Sequence, residues 1–109
     1  MGVQPQLSWD VDVRADVRVV AVTGELDIAT ADDFTASLAE HLAAGDVHLD
    51  LSELAFMDSS GVLALDDALR VAAGSGSALT LAPTLRDNVR RVLELTGLLS
   101  AIPVREDLA

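Results

Sequence analysis

The chain has 109 residues, the length of one ordinary domain, and half of them are hydrophobic although only 3% are aromatic. We therefore expect one domain over residues 1–109, with a core over about residues 7–104 made mainly of Leu, Val, Ala and Ile. Eighteen acidic residues against seven basic ones give a formal net charge of −11, which opposes attraction to nucleic acids and anionic membranes. The composition thus predicts no nucleic-acid partner and no membrane partner.

The absence of cysteine excludes disulfides and thiolate metal sites and favours a cytoplasmic location. Residues 1–7 lack the basic start and the apolar run of a secretory signal. Asp, Glu or Arg interrupts every apolar stretch well before it reaches the length of a membrane span. All seven basic residues are Arg, which together with abundant Ala and Val is typical of a bacterial, GC-rich genome. We therefore expect a soluble cytoplasmic protein.

Alternating polar and apolar residues predict a first strand over residues 7–13, because successive side chains of a strand point to opposite faces. Residues 17–23 are more continuously apolar and predict a more central strand. Ala15 and Asp16 form the short turn between them. The two strands should pair as an antiparallel hairpin.

A first helix should begin at Thr30, whose hydroxyl can cap free backbone N–H groups, with Asp33 three residues later as in a capping box. Gly45 should end it. Its buried side should consist of Phe34, Leu38 and Leu42.

Residues 47–51 alternate again and predict a third strand, and residues 52–57 are expected to form a loop. A second helix follows and should end at Gly74. Asp66 and Arg70 are placed to form an ion pair across one turn of this helix.

Residues 78–81 predict a fourth strand, and Thr84 with Asp87 should cap a third helix that runs to about Thr96. Residues 101–104 could add an edge strand, where Pro103 is tolerable. The tails, residues 1–6 and 105–109, should be loose. This order predicts an α/β fold, with a single mixed sheet of four to five strands, an N-terminal antiparallel hairpin and packed crossover helices.

One segment, Asp58-Ser59-Ser60-Gly61, places two hydroxyls and a carboxylate where a loop becomes a helix. Asp58 is the natural N-cap, and the two serines would be the first helical residues, where backbone N–H groups are unpaired and the helix dipole is positive. A phosphoryl group there would add about 1.5 to 2 negative charges. Taken alone, such a tetrapeptide is more often simply a cap.

Three blocks of the chain, in this order and spacing, resemble the anti-sigma factor antagonists of the STAS (sulfate transporter and anti-sigma antagonist) family. The blocks are residues 24–30 (GELDIAT), residues 49–52 (LDLS) with 56–61 (FMDSSG), and residues 91–98 (RVLELTGL). They are similar to the family's loop into the first helix, its third strand with the phosphorylation loop, and its last helix. The resemblance extends along nearly the whole chain and implies the STAS fold.

The resemblance also implies a function that the residues alone do not. Ser59 matches the family's phosphoacceptor, and Ser60 matches a structural or secondary serine. The unphosphorylated protein would bind a GHKL-type serine kinase that doubles as an anti-sigma factor, and a sigma factor would be released. Phosphorylation by this kinase with ATP would end the binding, and a PP2C-type phosphatase would restore it. The expected partner-binding residues are Asp27, Met57, Asp58, Ser60, Gly61 and Leu63.

The chain departs from the family at Leu63, where a small Gly is frequent, which bears on the identity of the partner. Asp27 has two readings of equal weight, one as a carboxylate that orients Ser59 or touches the kinase and one as a local turn cap.

Another function left open is an accessory STAS domain of a transport or ligand-sensing system. An enzyme with Ser59 as nucleophile is disfavoured because the sequence offers no convincing base. We expect no cofactor, and for His41 and His48 we expect solvated or packing roles rather than metal binding.

Overall fold

The computed structural model describes residues 7–108. Its elements follow the predicted order along most of the chain. They are β1 (Leu7–Arg14), β2 (Val17–Leu26), α1 (Ala31–Ala44), β3 (Val47–Met57), α2 (Ser59–Ser75), β4 (Leu79–Leu81), α3 (Asp87–Leu95) and α4 (Leu98–Ala101).

The strands form one mixed sheet in the order β1-β2-β3-β4. The β1–β2 pair is antiparallel, and the β2–β3 and β3–β4 pairs are parallel. Parallel neighbours need a crossover connection, which α1 supplies between β2 and β3 and α2 supplies between β3 and β4. The predicted α/β fold with an N-terminal hairpin is confirmed, with four strands.

The β1–β2 hairpin closes through Ala15 and Asp16, both of which have positive φ angles, 50° and 65°. A two-residue turn of this hand matches the natural twist of the flanking strands. It sets the register in which Trp9 lies on the helix side of the sheet, where its ring meets Phe34 of α1 edge-on at 5.9 Å. The turn and the first predicted strand pair are therefore confirmed.

The two faces of the sheet differ because only one carries helices. Val20 and Val22 of β2 and Leu49 and Leu51 of β3 join the main core on the helix side. The alternate residues point to the opposite face, which we call the outer face. On the outer face Val17, Val19 and Leu108 form a second, small apolar cluster.

The predicted loop over residues 52–57 is wrong, because β3 continues to Met57. This second half of β3 pairs with the end of β2, from Thr23 opposite Glu53 to Leu26 opposite Met57. The pairing is irregular at two points, which breaks the alternation from which a strand is read in a sequence. Strand β3 therefore ends at Met57, and only Asp58 separates it from the first residue of α2.

Three predicted helix ends are also corrected. Thr30 occupies the N-cap position of α1, but its hydroxyl does not cap the helix, so no capping box with Asp33 forms. Helix α3 begins after Arg86 without a side-chain cap, and Thr84 lies outside it. Helix α2 passes through Gly74 and ends at Gly76, whose φ of 71° suits a residue without Cβ.

The C-terminal segment differs most from expectation. Residues predicted as an edge strand instead begin in the short helix α4, and Val104 alone forms a bridge, to Leu81. Residues 105–108 are packed rather than loose, since Leu108 is buried and its carbonyl accepts a hydrogen bond from Arg14. The remaining predicted tail residues, 1–6 and 109, lie outside the described residues.

Candidate functional site

The start of α2 is a capped helix terminus. Asp58 has an extended backbone, and its Oδ1 accepts hydrogen bonds from the N–H groups of Ser60 at 2.9 Å and Gly61 at 3.4 Å. The prediction that Asp58 is the N-cap is confirmed. Such a cap satisfies backbone donors that the helix itself leaves free.

Ser59 is the first residue of α2, and it is exposed. Among residues 7–108 no side-chain hydrogen bond is made by its hydroxyl, whereas the Asp58 carboxylate beside it is occupied. The Ser59 Oγ therefore stands free at the positive end of a helix of 17 residues. Chemically, this is an accessible hydroxyl to which no basic side chain of residues 7–108 is hydrogen-bonded.

Gly61 holds the first turn of α2 against the end of β2. A Cβ built on Gly61 would lie 2.8 Å from Met57 Cγ and 2.9 Å from the Leu26 carbonyl oxygen. That same carbonyl accepts a hydrogen bond from the Asp58 N–H at 3.3 Å. The close approach leaves room only for a hydrogen, so Gly61 fixes where Ser59 is presented.

The loop after β2 is held by hydrogen bonds of the Thr30 side chain. Its Oγ1 donates to the Glu25 carbonyl at 2.9 Å and accepts from the Asp27 N–H at 3.0 Å. The Asp27 carboxylate accepts from the Ala29 N–H within the same loop and makes no hydrogen bond to Ser59 in the described residues. The structure therefore shows Asp27 in local turn contacts and not in contact with Ser59, and its contact with a kinase stays a prediction.

A shallow groove lies between this loop, the start of α1 and α2. We call it the Ile28–Leu63 groove after its two exposed apolar residues, which are 82% and 65% exposed. Ser60 and small alanines form its floor, and Asp32 and Asp67 lie on its rim. The groove thus places exposed apolar surface beside the accessible Ser59 hydroxyl.

The predicted site residues thus fall into two groups. Ser59 and Leu63 are exposed, and Asp27, Asp58 and Ser60 are half-buried around them. Met57 and Gly61 are buried in the packing beneath these residues, where they shape the surface.

Sequence reasoning missed Ile28, Asp32 and Asp67. An apolar residue placed between Asp27 and Ala29 in a polar turn was the available signal for Ile28. The acidic pair had no signal, because only the packing of α1 on α2 brings the two residues to one groove.

The described part of the chain contains neither a metal-binding cluster nor a membrane-spanning helix. Within residues 7–108, no group of three or more His, Asp or Glu side chains is arranged to hold a metal ion. Over the same range, no helix has both the length and the apolar character needed to cross a bilayer.

Replacing Gly61 with Ala should lower the free energy of unfolding by about 1–3 kcal/mol, because the added methyl group would collide with the Leu26 carbonyl and Met57. Gly74→Ala in the same helix is the matched control, since a Cβ there meets nothing within 4 Å. It should raise stability by about 0.5–1 kcal/mol. Urea unfolding followed by Trp9 fluorescence measures both, and equal effects would contradict the close approach.

Comparison with known proteins identifies the family. The family model described as "STAS domain" matches residues 8–109. An anti-sigma factor antagonist from Mycobacterium paratuberculosis superposes with a TM-score of 0.80 at 25% identity, covering 94% of this chain and 87% of that one.

Two structures of SpoIIAA share the fold at lower identity. The unphosphorylated anti-sigma factor antagonist SpoIIAA gives a TM-score of 0.75 at 22% identity, with 92% and 90% of the two chains covered. Bacillus SpoIIAA in its phosphorylated form gives 0.68 at 21% identity, with 92% and 93% covered. With a family match over nearly the whole chain, the protein belongs to the STAS-domain family.

Proposed function

We propose that this protein is an anti-sigma factor antagonist, and that phosphorylation of Ser59 switches off its binding to the anti-sigma factor. The observation that carries the proposal is the free, exposed Ser59 hydroxyl at the capped start of α2, directly beside the Ile28–Leu63 groove. A serine in this place is reachable by a kinase, and the groove gives a partner apolar surface to bury.

The comparisons support the same role. The Mycobacterium paratuberculosis protein of the same fold is an anti-sigma factor antagonist, and SpoIIAA exists in unphosphorylated and phosphorylated forms. By analogy, the partner of this chain is a GHKL-type serine kinase that also acts as the anti-sigma factor in the cytoplasm. A PP2C-type phosphatase would reverse the modification.

The charge balance explains how a phosphate would act. The N–H groups of Ser60 and Gly61, which could otherwise donate hydrogen bonds to a phosphate, already donate to the Asp58 carboxylate. Asp32 adds negative charge at the rim of the groove, whereas Asp67 is paired with Arg70 at 3.2 Å. The formal net charge of the protein is −11. A phosphoryl group on Ser59 therefore places about 1.5 to 2 further negative charges on an already acidic docking surface.

Incubation with the cognate kinase and ATP should modify Ser59 and leave Ser60 unmodified, since Ser60 is half-buried in the groove floor. Fragment mass spectra locate the phosphate. The modified protein should bind the kinase roughly a thousandfold more weakly, as expected for a charge conflict of about 4 kcal/mol.

Ser59→Ala keeps the site small and neutral, and calorimetric titration should show the affinity of the unmodified protein. Ser59→Asp should bind more weakly than Ser59→Ala. The proposed switch is wrong if the phosphoprotein and Ser59→Ala bind equally well, or if the kinase phosphorylates Ser60.

A separate prediction concerns Leu63, one of the two exposed apolar residues of the Ile28–Leu63 groove. Leu63→Ala should weaken binding to the anti-sigma factor about tenfold or more, because an apolar anchor at the centre of an interface contributes more than 1 kcal/mol. Leu95→Ala is the control, because Leu95 is 77% exposed on α3, away from the groove. Both variants should keep wild-type stability within about 0.5 kcal/mol. Equal losses of affinity would place the docking surface elsewhere.

A further inference from the structure

The C-terminal residues 105–108 are fastened to the outer face of the sheet at three points. The Arg105 N–H donates to the Leu81 carbonyl at 2.9 Å, extending the edge of β4. The Arg14 Nη1 of β1 donates to the Leu108 carbonyl at 3.1 Å. The Leu108 side chain packs on Val17 and Val19 of β2. The segment therefore spans the sheet from its β4 edge to its β1 edge.

Directly beneath this segment lies His48 of β3, which is 0% exposed. Its Nδ1 is 2.7 Å from Thr80 Oγ1 on β4. Within the described residues Nε2 is buried and has no hydrogen-bond partner. His48 also lines a cavity of about 290 Å³ together with Val19, Ala82 and Leu108.

This arrangement suits a neutral imidazole and opposes a protonated one. A protonated ring carries an N–H on both nitrogens, and the one at Nε2 would be a buried donor, bearing charge, without an acceptor. Burial accordingly lowers the pKa of His48, and the Arg105 guanidinium lowers it further. The carboxylates of Asp50 and Asp107 act in the opposite direction and do not outweigh burial.

The charged groups that face the cavity or act on the ring come from three places. They are Asp10, Asp12 and Arg14 of β1, Asp50 of β3, and Arg105 and Asp107 of the C-terminal segment. The uncharged neighbours are Val19 and Ala21 of β2, Thr80 of β4, and Ala82, which follows β4. Arg14 is paired with Asp12 at 3.0 Å, and Arg105 with Asp107 at 2.7 Å. Asp12 and Asp107 therefore have cationic partners, Asp50 accepts only from the Ser52 N–H, and within residues 7–108 neither Asp10 nor Asp50 is in an ion pair.

We propose that residues 105–108 form a pH-responsive latch, which lies closed over neutral His48 and opens when His48 is protonated. Opening admits water to Nε2 and uncovers Val17, Val19 and the cavity on the outer face. The Ile28–Leu63 groove lies on the helix side of the sheet, so the latch acts separately from the Ser59 switch.

The direction of the pH effect follows from linkage. In the open state water solvates the ring, so its pKa returns towards the ordinary value of about 6.5. In the closed state the pKa is lower. The closed latch therefore has its full stability above the ordinary value, and it loses stability as the pH falls from there through the closed-state pKa. Each unit of difference between the two pKa values changes the ratio of open to closed forms about tenfold.

The test is an NMR titration of the full chain, in which the only two imidazole signals belong to His48 and His41. His48 should titrate below about 6.5. Leu108→Ala opens a path for water to Nε2 and should move the His48 midpoint upward. A His48 midpoint at or above the ordinary value, or one that Leu108→Ala leaves in place, would overturn the proposal.

Amide hydrogen exchange tests the motion itself. The protection factor of the Arg105 amide, corrected for intrinsic pH dependence, should fall at least several-fold between pH 7.5 and 5. The Ala82 amide, bonded to Leu49 across the β3–β4 pair, should stay protected. In His48→Phe, which cannot take up a proton, the Arg105 protection should become independent of pH. An Arg105 amide equally protected at both pH values in the wild type would refute the latch.

Discussion

The presentation of Ser59 depends on one close approach, that of the Gly61 backbone to the Leu26 carbonyl. A Cβ at Gly61 would stand 2.9 Å from that oxygen, and the Asp58 N–H bonds to the same oxygen from the other side of the turn. Helix α2 therefore starts at one place and in one direction relative to the sheet. With Asp58 capping the helix, the turn that carries Ser59 is built before any partner arrives, and little conformational entropy remains to be lost on binding.

The same contact brings together two chain segments that are far apart in sequence. The loop after β2 supplies Ile28, and the first turns of α2 supply Ser59 and Leu63. Hydrogen bonds of the Thr30 side chain with Glu25 and Asp27 hold the loop in one conformation, so both sides of the Ile28–Leu63 groove have defined positions. The proposed phosphorylation of Ser59 would thus act on a surface that is shaped already, and its main effect would be electrostatic.

Much of this could be predicted from the sequence because the signals are local. The alternation of polar and apolar residues predicted the hairpin, and Asp58 followed by two serines predicted the start of α2. The continuation of β3 to Met57 could not be predicted, because its irregular pairing with β2 breaks the alternation. The packing of Leu108 on the sheet and the close approach of Gly61 to Leu26 could not be predicted either, because both involve residues that are distant in the chain.

The central claim is that phosphorylation changes the charge of a preformed surface without rearranging the fold. A comparison of backbone amide chemical shifts between the unmodified protein and the protein phosphorylated on Ser59 tests it most directly. We expect the changes to be confined to residues 27–32 and 58–67, around the groove, with the sheet and the rest of α2 unaffected. Shifts that spread through β2 and β3, or the loss of helical signals in α2, would show that the phosphate acts by remodelling the structure.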